Sequence, residues 1–444
     1  MLNNKVRLGD LIEVLTDYHA NGAYKKLKEN VELLDDEDYA LMVRTTNFEN
    51  NDFHDSVKYI SEHAYNFLEK SKVYPNDLIM NKIANAGSIY LMPDLQRPVS
   101  LAMNLFLIRV NEKLANPIYV YLYLKINEQY VKQFANGSVT KTITKEAVRN
   151  LEIFLPSREE QDIVVEQYLS LDNKINLNLK INQKLESITQ AIFKSWFIDF
   201  DVVRAKIQAK QEGKDSELAA MCVISGKSEE ELQQMPEEDF AELQATAALF
   251  PDELVESELG EVPAGWEKIP FDQIAKAKKG KNITKKNTSS GNIPVVAGGL
   301  KPAYFHNEYN VEGPVVTISA SGANAGYVNL YQQNIWASDC SFISKDETTS
   351  IYTIYTFLKI KQNEITKMQQ GAAQPHVYPK DLKRLIFPKI PGCLILKFEE
   401  FSQKIFSKIH VNDLENNALN SIKEIILPKF FSGEVVIHKR AELE

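Results

Sequence analysis

Apolar residues recur at helical spacing in two long segments of the chain. The stripes are formed by Leu171, Ile175, Ile181, Leu185, Ile188 and Ile192, and by Phe398, Phe401, Ile405, Leu414, Ala418, Ile422 and Ile425. This period predicts two amphipathic helices. The first runs from about Glu159 to Phe197, about 55–60 Å at 1.5 Å per residue. Helices of this length with a narrow apolar stripe normally pack against one another, so we expect the two to pair.

The two helical segments are copies of one another. Residues 164–203 align without a gap with residues 398–437, and seven pairs within 181–203 are identical. Both segments carry asparagines that are unusual in a dry helix seam: Asn173, Asn176, Asn178 and Asn182 in the first, and Asn412, Asn416, Asn417 and Asn420 in the second. Such polar residues either fix the register of the pair or face a further partner.

A region with both strand-like and helical sequence patterns precedes each helix. Short apolar runs such as Leu105–Val110 and Gly313–Ser319 alternate with turn residues and with short helical patterns at 117–127 and 349–362. Ala84-Asn85-Ala86-Gly87 recurs as Ala323-Asn324-Ala325-Gly326, and Gly137 and Gly371 hold matching places. The predicted fold is mixed α+β, with two α/β domains separated by two long antiparallel helices and a pseudo-two-fold internal repeat.

The pattern predicts six segments. They are a first domain (1–156), a first long helix (157–204), an acidic spacer or linker (205–262), a second domain (263–391), a second long helix (392–432) and a tail (433–444). The net charge of −9 comes from the spacer, because residues 211–261 hold 15 acidic and two basic residues. The remainder has 49 basic and 45 acidic residues, a balance that permits nucleic-acid binding.

Compartment and chemistry are constrained by what the sequence lacks. It has no apolar run of about 20 residues, no secretory start and only three distant cysteines, so we expect a cytoplasmic protein without a membrane partner. Gly226-Lys227-Ser228 resembles the end of a phosphate-binding loop, but Met221 stands where its first glycine belongs. No Pro-Pro pair, nuclease motif or metal-ligand spacing occurs. We therefore expect a binding role with no catalytic residue, metal or cofactor.

Several motifs carry a family resemblance across nearly the whole chain. They are Arg44-Thr-Thr-Asn-Phe48, Asn81-Lys-Ile-Ala-Asn-Ala-Gly87, Leu155-Pro156 with Glu159-Glu160-Gln161, Lys194-Ser-Trp-Phe197 with Phe200-Asp201, Phe250-Pro-Asp-Glu-Leu254 and Glu258-Leu-Gly-Glu-Val-Pro-Ala-Gly-Trp266-Glu267. With them, the chain resembles the specificity subunit of type I restriction–modification systems. It departs from that pattern in the acidic insertion and in Phe387-Pro-Lys-Ile-Pro391 before the second helix.

The resemblance implies a non-catalytic subunit with two target-recognition domains, each reading half of a split sequence in double-stranded DNA. It also implies modification (methyltransferase) subunits on the long helices and restriction (motor-nuclease) subunits in the full complex. S-adenosylmethionine, ATP and Mg would belong to those partners. Three alternatives stay open: a specificity subunit of a type IIB-like enzyme, a helical scaffold without a DNA role, and an enzyme acting alone.

Exposed loop residues with cationic or amide groups are the candidates for DNA contact. In the first domain they are Arg44, Thr45, Thr46, Asn47, Lys82, Asn85 and Lys141. In the second domain they are Lys276, Lys278, Lys279, Lys281, Lys285, Lys286, Ser319, Ser321, Asn324, Gln374 and His376. Neither Arg44–Phe48 nor the lysine run at 276–286 has a counterpart by sequence in the other half.

Overall fold

The described residues, 5–137, 140–258, 260–371, 375–432 and 434 of a computed structural model, form two units. Unit 1 combines the chain up to Asn176 with the chain from Asn416 onward, and unit 2 comprises Leu177–Glu415. The long helices contribute to both units. No helix in these ranges is long and apolar enough to cross a membrane.

Unit 1 is built on two four-stranded sheets. Its strands are β1 (Lys5–Arg7), β2 (Ile12–Asp17), β3 (Ala40–Val43), β4 (Tyr59–Ile60), β5 (Lys72–Val73), β6 (Leu78–Asn81), β7 (Ile89–Leu91), β8 (Val99–Leu101), β9 (Leu105–Val110) and β10 (Glu152–Phe154). Its short helices are α1 (Tyr24–Asn30), α2 (Thr45–Asn50), α3 (Glu62–Phe67), α4 (Pro117–Ile126), α5 (Glu128–Lys132) and α6 (Lys145–Arg149), with 3-10 turns at Leu8–Asp10, Tyr18–Asn21 and Glu69–Ser71. The sheet orders are β2-β9-β6-β7 and β4-β3-β8-β5, and β1 pairs with β10.

Strand β9 is apolar on both faces because it separates two cores of unit 1. Phe106 and Ile108 pack into one core, which also contains Val120 and Leu124 of α4. Leu107 points to the other core, between the two sheets. The alternation of side chains along a strand explains why residues 105–108 of β9 are continuously hydrophobic instead of alternating with polar residues.

Helix α7 (Arg158–Phe197) leads into unit 2. The helices that follow are α8 (Asp201–Gln211), α9 (Ser216–Ser225), α10 (Glu229–Gln233), α11 (Glu237–Ala248), α12 (Ile351–Ile360) and α13 (Gln362–Lys367), with 3-10 turns at Phe271–Gln273, Lys285–Asn287 and Pro379–Arg384. The strands are β11 (Leu254–Val255), β12 (Val262–Pro263), β13 (Lys268–Pro270), β14 (Lys278–Lys279), β15 (Ile293–Val296), β16 (Tyr304–His306), β17 (Val315–Ser319), β18 (Val328–Tyr331), β19 (Trp336–Ala337), β20 (Cys340–Ile343) and β21 (Ile386–Pro388). Helix α14 (Gly392–Ser432) ends the described fold.

The strand order of unit 2 repeats that of unit 1. Its main sheet is β14-β20-β17-β18, in which each strand takes the place of one in β2-β9-β6-β7. In the second sheets, β15 pairs in parallel with β19 as β3 pairs in parallel with β8. The closing pair β13–β21 matches β1–β10. The internal repeat predicted from the helices therefore extends to the topology of both domains.

The two long helices pair antiparallel, as predicted. In unit 1, Lys423 lies 2.6 Å from the carboxylate of Asp172. In unit 2, Asn178 donates to Glu415 at 2.8 Å. Phe193 then stacks edge-on against Phe398 at 5.3 Å. Residue numbers therefore rise along α7 as they fall along α14.

The buried face of α7 differs from the predicted apolar stripe. It follows a 3.5-residue period through Leu171, Ile175, Asn178, Asn182, Leu185, Thr189 and Ile192. Ile188 lies outside this face and is 47% exposed. Leu414 of α14 is likewise exposed, at 52%. Ile181, Ile188 and Leu414 of the predicted stripes lie outside the seam because a 3.6-residue template drifts away from a coiled-coil period, and the seam itself includes buried asparagines.

The acidic segment is folded. In α8–α11, Ala220, Met221, Leu232 and Ala247 are buried in the core of unit 2, while the acidic side chains are largely exposed. Lys206 is 2% exposed and donates to Glu217 and to the Phe250 carbonyl oxygen, at 2.8 and 2.9 Å. Residues 201–250 therefore do not form the spacer or linker expected from their charge, because a 3.6-residue apolar pattern lies beneath the acidic residues.

Candidate nucleic-acid interface

Three loops of unit 1 open at the same end of its sheets. Strands β2 and β6 both end beside the start of β9, where Asp17 pairs with Phe106 and Asn81 with Leu105. Strand β3 ends at the same place, because the Ala102 N–H donates to the Val43 carbonyl at 2.9 Å. We call this end edge 1, comprising residues 17–21, 44–47, 82–85, 102–104 and 141–145.

Arg44–Asn47 lies on edge 1, but its members differ in accessibility. Asn47 is 1% exposed. Its side-chain oxygen accepts from the Arg44 N–H at 2.9 Å, and its amide donates to the carbonyls of Asp52 and Ser56. Asn47 thus holds the loop in shape and cannot present its amide to DNA. Arg44 and Thr45 are half-buried, whereas Thr46 is exposed.

Lys82, Asn85 and Lys141 are brought together on the same edge. The Lys82 carbonyl accepts from the Ile143 N–H at 3.0 Å, which fixes the Lys141 segment beside it. Asn85 and Lys141 are exposed. The Lys82 ammonium group lies 3.0 Å from Asp17, and Lys145 lies 3.4 Å from the same carboxylate. Burial raises the pKa of Asp17, but the two ammonium groups outweigh it and lower that pKa overall.

Unit 2 has the same arrangement at the start of β20. The Gly280 N–H donates to the Cys340 carbonyl at 2.9 Å, where β14 ends. Ser319, at the end of β17, pairs with Cys340. The Ser338 N–H donates to the Val296 carbonyl at 2.8 Å, just as Ala102 donates to Val43. We call this end edge 2, comprising residues 280–286, 297–301, 319–324, 338–339, 370–371 and 375–376.

The structure places the lysines of the run at 276–286 in two different surroundings. Lys281, Lys285 and Lys286 are exposed on edge 2. Lys279 pairs with Ser341, and Lys278 pairs with Phe342, farther from the edge. Lys278 also forms an ion pair with Glu347, whose hydrogen bond and negative charge raise the pKa of Lys278. Lys276 precedes Lys278, so the run does not form one continuous cationic surface at the edge.

The described polar candidates of edge 2 are all buried or half-buried. Ser319 and Ser321 are buried, and their hydroxyls donate to the Gly298 carbonyl and to the Asp339 carboxylate. Asn324 and His376 are half-buried, and the His376 ring stacks on Tyr378 at 5.9 Å. Gln374 lies outside the described residues.

The repeated tetrapeptides build the same turn in both units. The Gly87 N–H donates to the Asn81 carbonyl at 2.9 Å, and the Gly326 N–H donates to the Ser319 carbonyl at 2.8 Å. The two glycines have φ of +90° and +86°, a region that disfavours side chains. A Cβ on Gly87 would lie 3.2 Å from Val131, and a Cβ on Gly326 would lie 3.2 Å from the side chain of Ile365.

Sequence reasoning missed one segment on edge 2 and one beside edge 1. Gly298–Lys301 follows β15 as Arg44–Asn47 follows β3, and Lys25 and Lys26 follow β2 as Lys285 and Lys286 follow β14. The segments share a place in the strand order and hardly any residue identity. Matching the order of predicted strands, instead of matching residues, would have found them.

Chemically, each edge presents ammonium, amide and hydroxyl groups, which suit phosphate oxygens and base edges. Within the described ranges, no group of three His, Cys, Asp or Glu side chains is placed to hold a metal ion.

Comparisons with known proteins agree on one family. The profile described as "Type I restriction modification DNA specificity domain" matches residues 2–187 and 263–426. The HindI specificity subunit of Haemophilus influenzae is 31% identical over 407 residues, covering 82% of this chain and 88% of its own length. The MjaIX specificity subunit of Methanocaldococcus jannaschii is 22% identical over 415 residues, covering 86% and 84%. The crystal structure of a type I restriction–modification S subunit from M. genitalium has the same fold, with a TM-score of 0.54, 16% identity and coverage of 97% and 98%.

Proposed function

The chain belongs to the family of type I restriction–modification DNA specificity subunits, and we propose that it recognises a bipartite, asymmetric target in double-stranded DNA. Each unit reads one half of the target through its own edge. The chain directs partner modification and restriction subunits to that target and catalyses no step itself. S-adenosylmethionine, ATP and Mg are bound by those partners.

One observation carries this proposal: the same edge is built twice with different side chains. The main-chain bonds that close the edges are equivalent, from Ala102 to Val43 in unit 1 and from Ser338 to Val296 in unit 2. The loops that follow β3 and β15 have the sequences Arg44-Thr-Thr-Asn in one unit and Ala297-Gly-Gly-Leu in the other. A common frame with different side chains suits a protein that reads two different half-sites.

Exposed apolar side chains on the long helices support the proposal that partner subunits bind there. Leu177 and Leu179 of α7 are 53% and 47% exposed, and Leu396 and Val411 of α14 are 61% and 55% exposed. Large apolar side chains that are exposed together on a helix surface are typical of protein–protein contact sites. Modification subunits that cover these helices would bury them.

Co-expression with the modification subunits tests the proposal. Mapping methylated adenines in the host DNA should give one motif with two specified segments separated by an unspecified spacer. A control expression without this chain should give no motif. An uninterrupted motif, or the same methylation without the chain, would contradict the proposal. A partner that both methylates and cleaves would identify the type IIB-like arrangement.

A further inference from the structure

Helix α1 carries three lysines for which the described residues provide no ion-pair partner. Lys25, Lys26 and Lys28 are exposed, while Leu27 is 2% exposed and packs into the core with Met42 of β3. Within the described parts of the chain, no carboxylate lies within ion-pair distance of these three lysines. Five other cations of unit 1 are neutralised, since Lys58, Lys72, Lys82, Arg97 and Arg109 each contact an acidic side chain.

The position of α1 in the fold matches that of Lys285 and Lys286. The chain leaves β2 at edge 1, passes the 3-10 turn Tyr18–Asn21, enters α1 and continues to β3. In unit 2 it leaves β14 at edge 2, passes the 3-10 turn Lys285–Asn287 and continues to β15. Each basic segment thus connects the outermost strand of the main sheet to the parallel-paired strand of the second sheet.

Both connections are anchored beside their edges. In unit 1, the Asn21 side-chain amide donates to the Tyr18 carbonyl at 3.0 Å and to the Ser71 hydroxyl at 2.9 Å. In unit 2, the Ile283 N–H donates to the Ser338 hydroxyl at 3.2 Å. Because each basic segment starts from a fixed point next to its edge, its ammonium groups stay near whatever the edge contacts.

We propose that Lys25, Lys26 and Lys28 of α1 bind the DNA phosphate backbone next to the half-site of unit 1, as the counterpart of Lys285 and Lys286 in unit 2. This assignment rests on the proposed function. Lysine ammonium groups act as point charges that neutralise phosphates and release counterions, without distinguishing bases. The segment therefore contributes affinity and leaves the recognised sequence unchanged.

The test compares two double variants of the full chain, purified with its modification subunits. Lys25→Ala/Lys26→Ala removes the proposed contacts. Lys5→Ala/Lys113→Ala removes the same number of lysines away from edge 1, since Lys5 lies in β1, 3.9 Å from Glu152, before β2 begins, and Lys113 follows the end of β9. Binding to a cognate and to an unrelated DNA duplex is measured by fluorescence anisotropy across a salt series.

The α1 variant should weaken binding to both duplexes by the same factor. The slope of log K against log salt should become shallower by up to about 1.8, at about 0.9 per phosphate contact. Lys25→Arg/Lys26→Arg should restore the slope, and the Lys5/Lys113 variant should keep it near the wild-type value.

The proposal would be overturned if the α1 and Lys5/Lys113 variants had equal slopes, or if the α1 variant instead lost its modification subunits while retaining DNA affinity. A chain that is sequence-specific for DNA but indifferent to Lys25 and Lys26 would contradict this inference alone. A wild-type complex without preference for any duplex would contradict the proposed function as well.

Discussion

Asn412 donates its side-chain amide to the side-chain oxygen of Asn182 across the two long helices, at 2.7 Å. Asn182 in turn donates to Asp413 at 2.8 Å. Asn412 is 2% exposed, so its amide has exchanged water for this partner. A buried polar pair of this kind costs free energy when one member is removed and specifies which residues of two helices meet.

Replacing Asn412 with Leu should therefore lower the free energy of unfolding by about 1–3 kcal/mol, because Asn182 loses its donor. The double replacement Asn182→Leu/Asn412→Leu should cost less than the sum of the two single changes. Urea denaturation of the full chain gives these values. Asn417→Leu, at an exposed position of the same helix, is the control and should change the free energy by less than about 0.5 kcal/mol. Strict additivity of the two single changes would show that the pair is not coupled.

Glu399 makes the stability of unit 2 depend on pH. It is 9% exposed and accepts hydrogen bonds from the Tyr352 N–H and from the Thr353 N–H and hydroxyl, at 3.1, 2.8 and 2.7 Å. Burial raises the pKa of Glu399 above its ordinary value of 4.5, although these hydrogen bonds oppose the rise. The folded state therefore binds this proton more tightly than the unfolded state, and stability decreases as pH rises through the raised pKa.

Glu399→Gln should remove that part of the pH dependence, since the amide does not titrate. The thermal midpoint at pH 5 and at pH 8 is the measurement, and the difference between the two should be smaller in the variant than in the wild type. Glu400→Gln, at the next and exposed position, should keep the wild-type difference. An unchanged pH dependence in Glu399→Gln would mean that Glu399 is not the titrating group.

The divided lysine run predicts unequal effects from equal changes in charge. Lys285→Ala/Lys286→Ala should flatten the salt dependence of DNA binding by up to about 1.8. Lys276→Ala/Lys278→Ala should change it little, because Lys278 contacts Glu347 and lies farther from edge 2. Salt-dependent anisotropy of the two variants in parallel checks this. Equal flattening by both variants would show that the lysines at 276–286 do form one continuous cationic surface.

Gly298 lies where the backbone of edge 2 leaves no room for a side chain. A Cβ at this position would lie 2.6 Å from the Ser321 carbonyl oxygen, whereas a Cβ on Gly299 would meet its nearest neighbour at 3.3 Å. Gly298→Ala must shift the loop, and we expect the affinity for the cognate duplex to fall about tenfold, or 1.4 kcal/mol. Gly299→Ala is the control and should retain more of the affinity. If the two variants had equal affinities for the cognate duplex, this loop would not lie against the DNA.

The long helices could be predicted from sequence because both their period and their ungapped repeat are local properties of the chain. The edges could not, because they arise from the ends of strands that are distant in sequence, such as Val43 beside Ala102. Asn47, Ser319 and Ser321 were predicted as DNA contacts because short polar side chains on loops suit that role. The structure shows them buried and bonded to neighbouring groups, which is what such side chains also do when a loop must be held.

Methylation-site mapping of a chimera shows whether each unit reads its own half-site. In the chimera, residues 264–390, which contain edge 2, come from a relative with a different target, while edge 1 and both long helices are retained. If each unit reads its own half-site, one half of the methylated motif changes and the other half stays the same. If both halves change together, or neither does, the two units do not read separate half-sites.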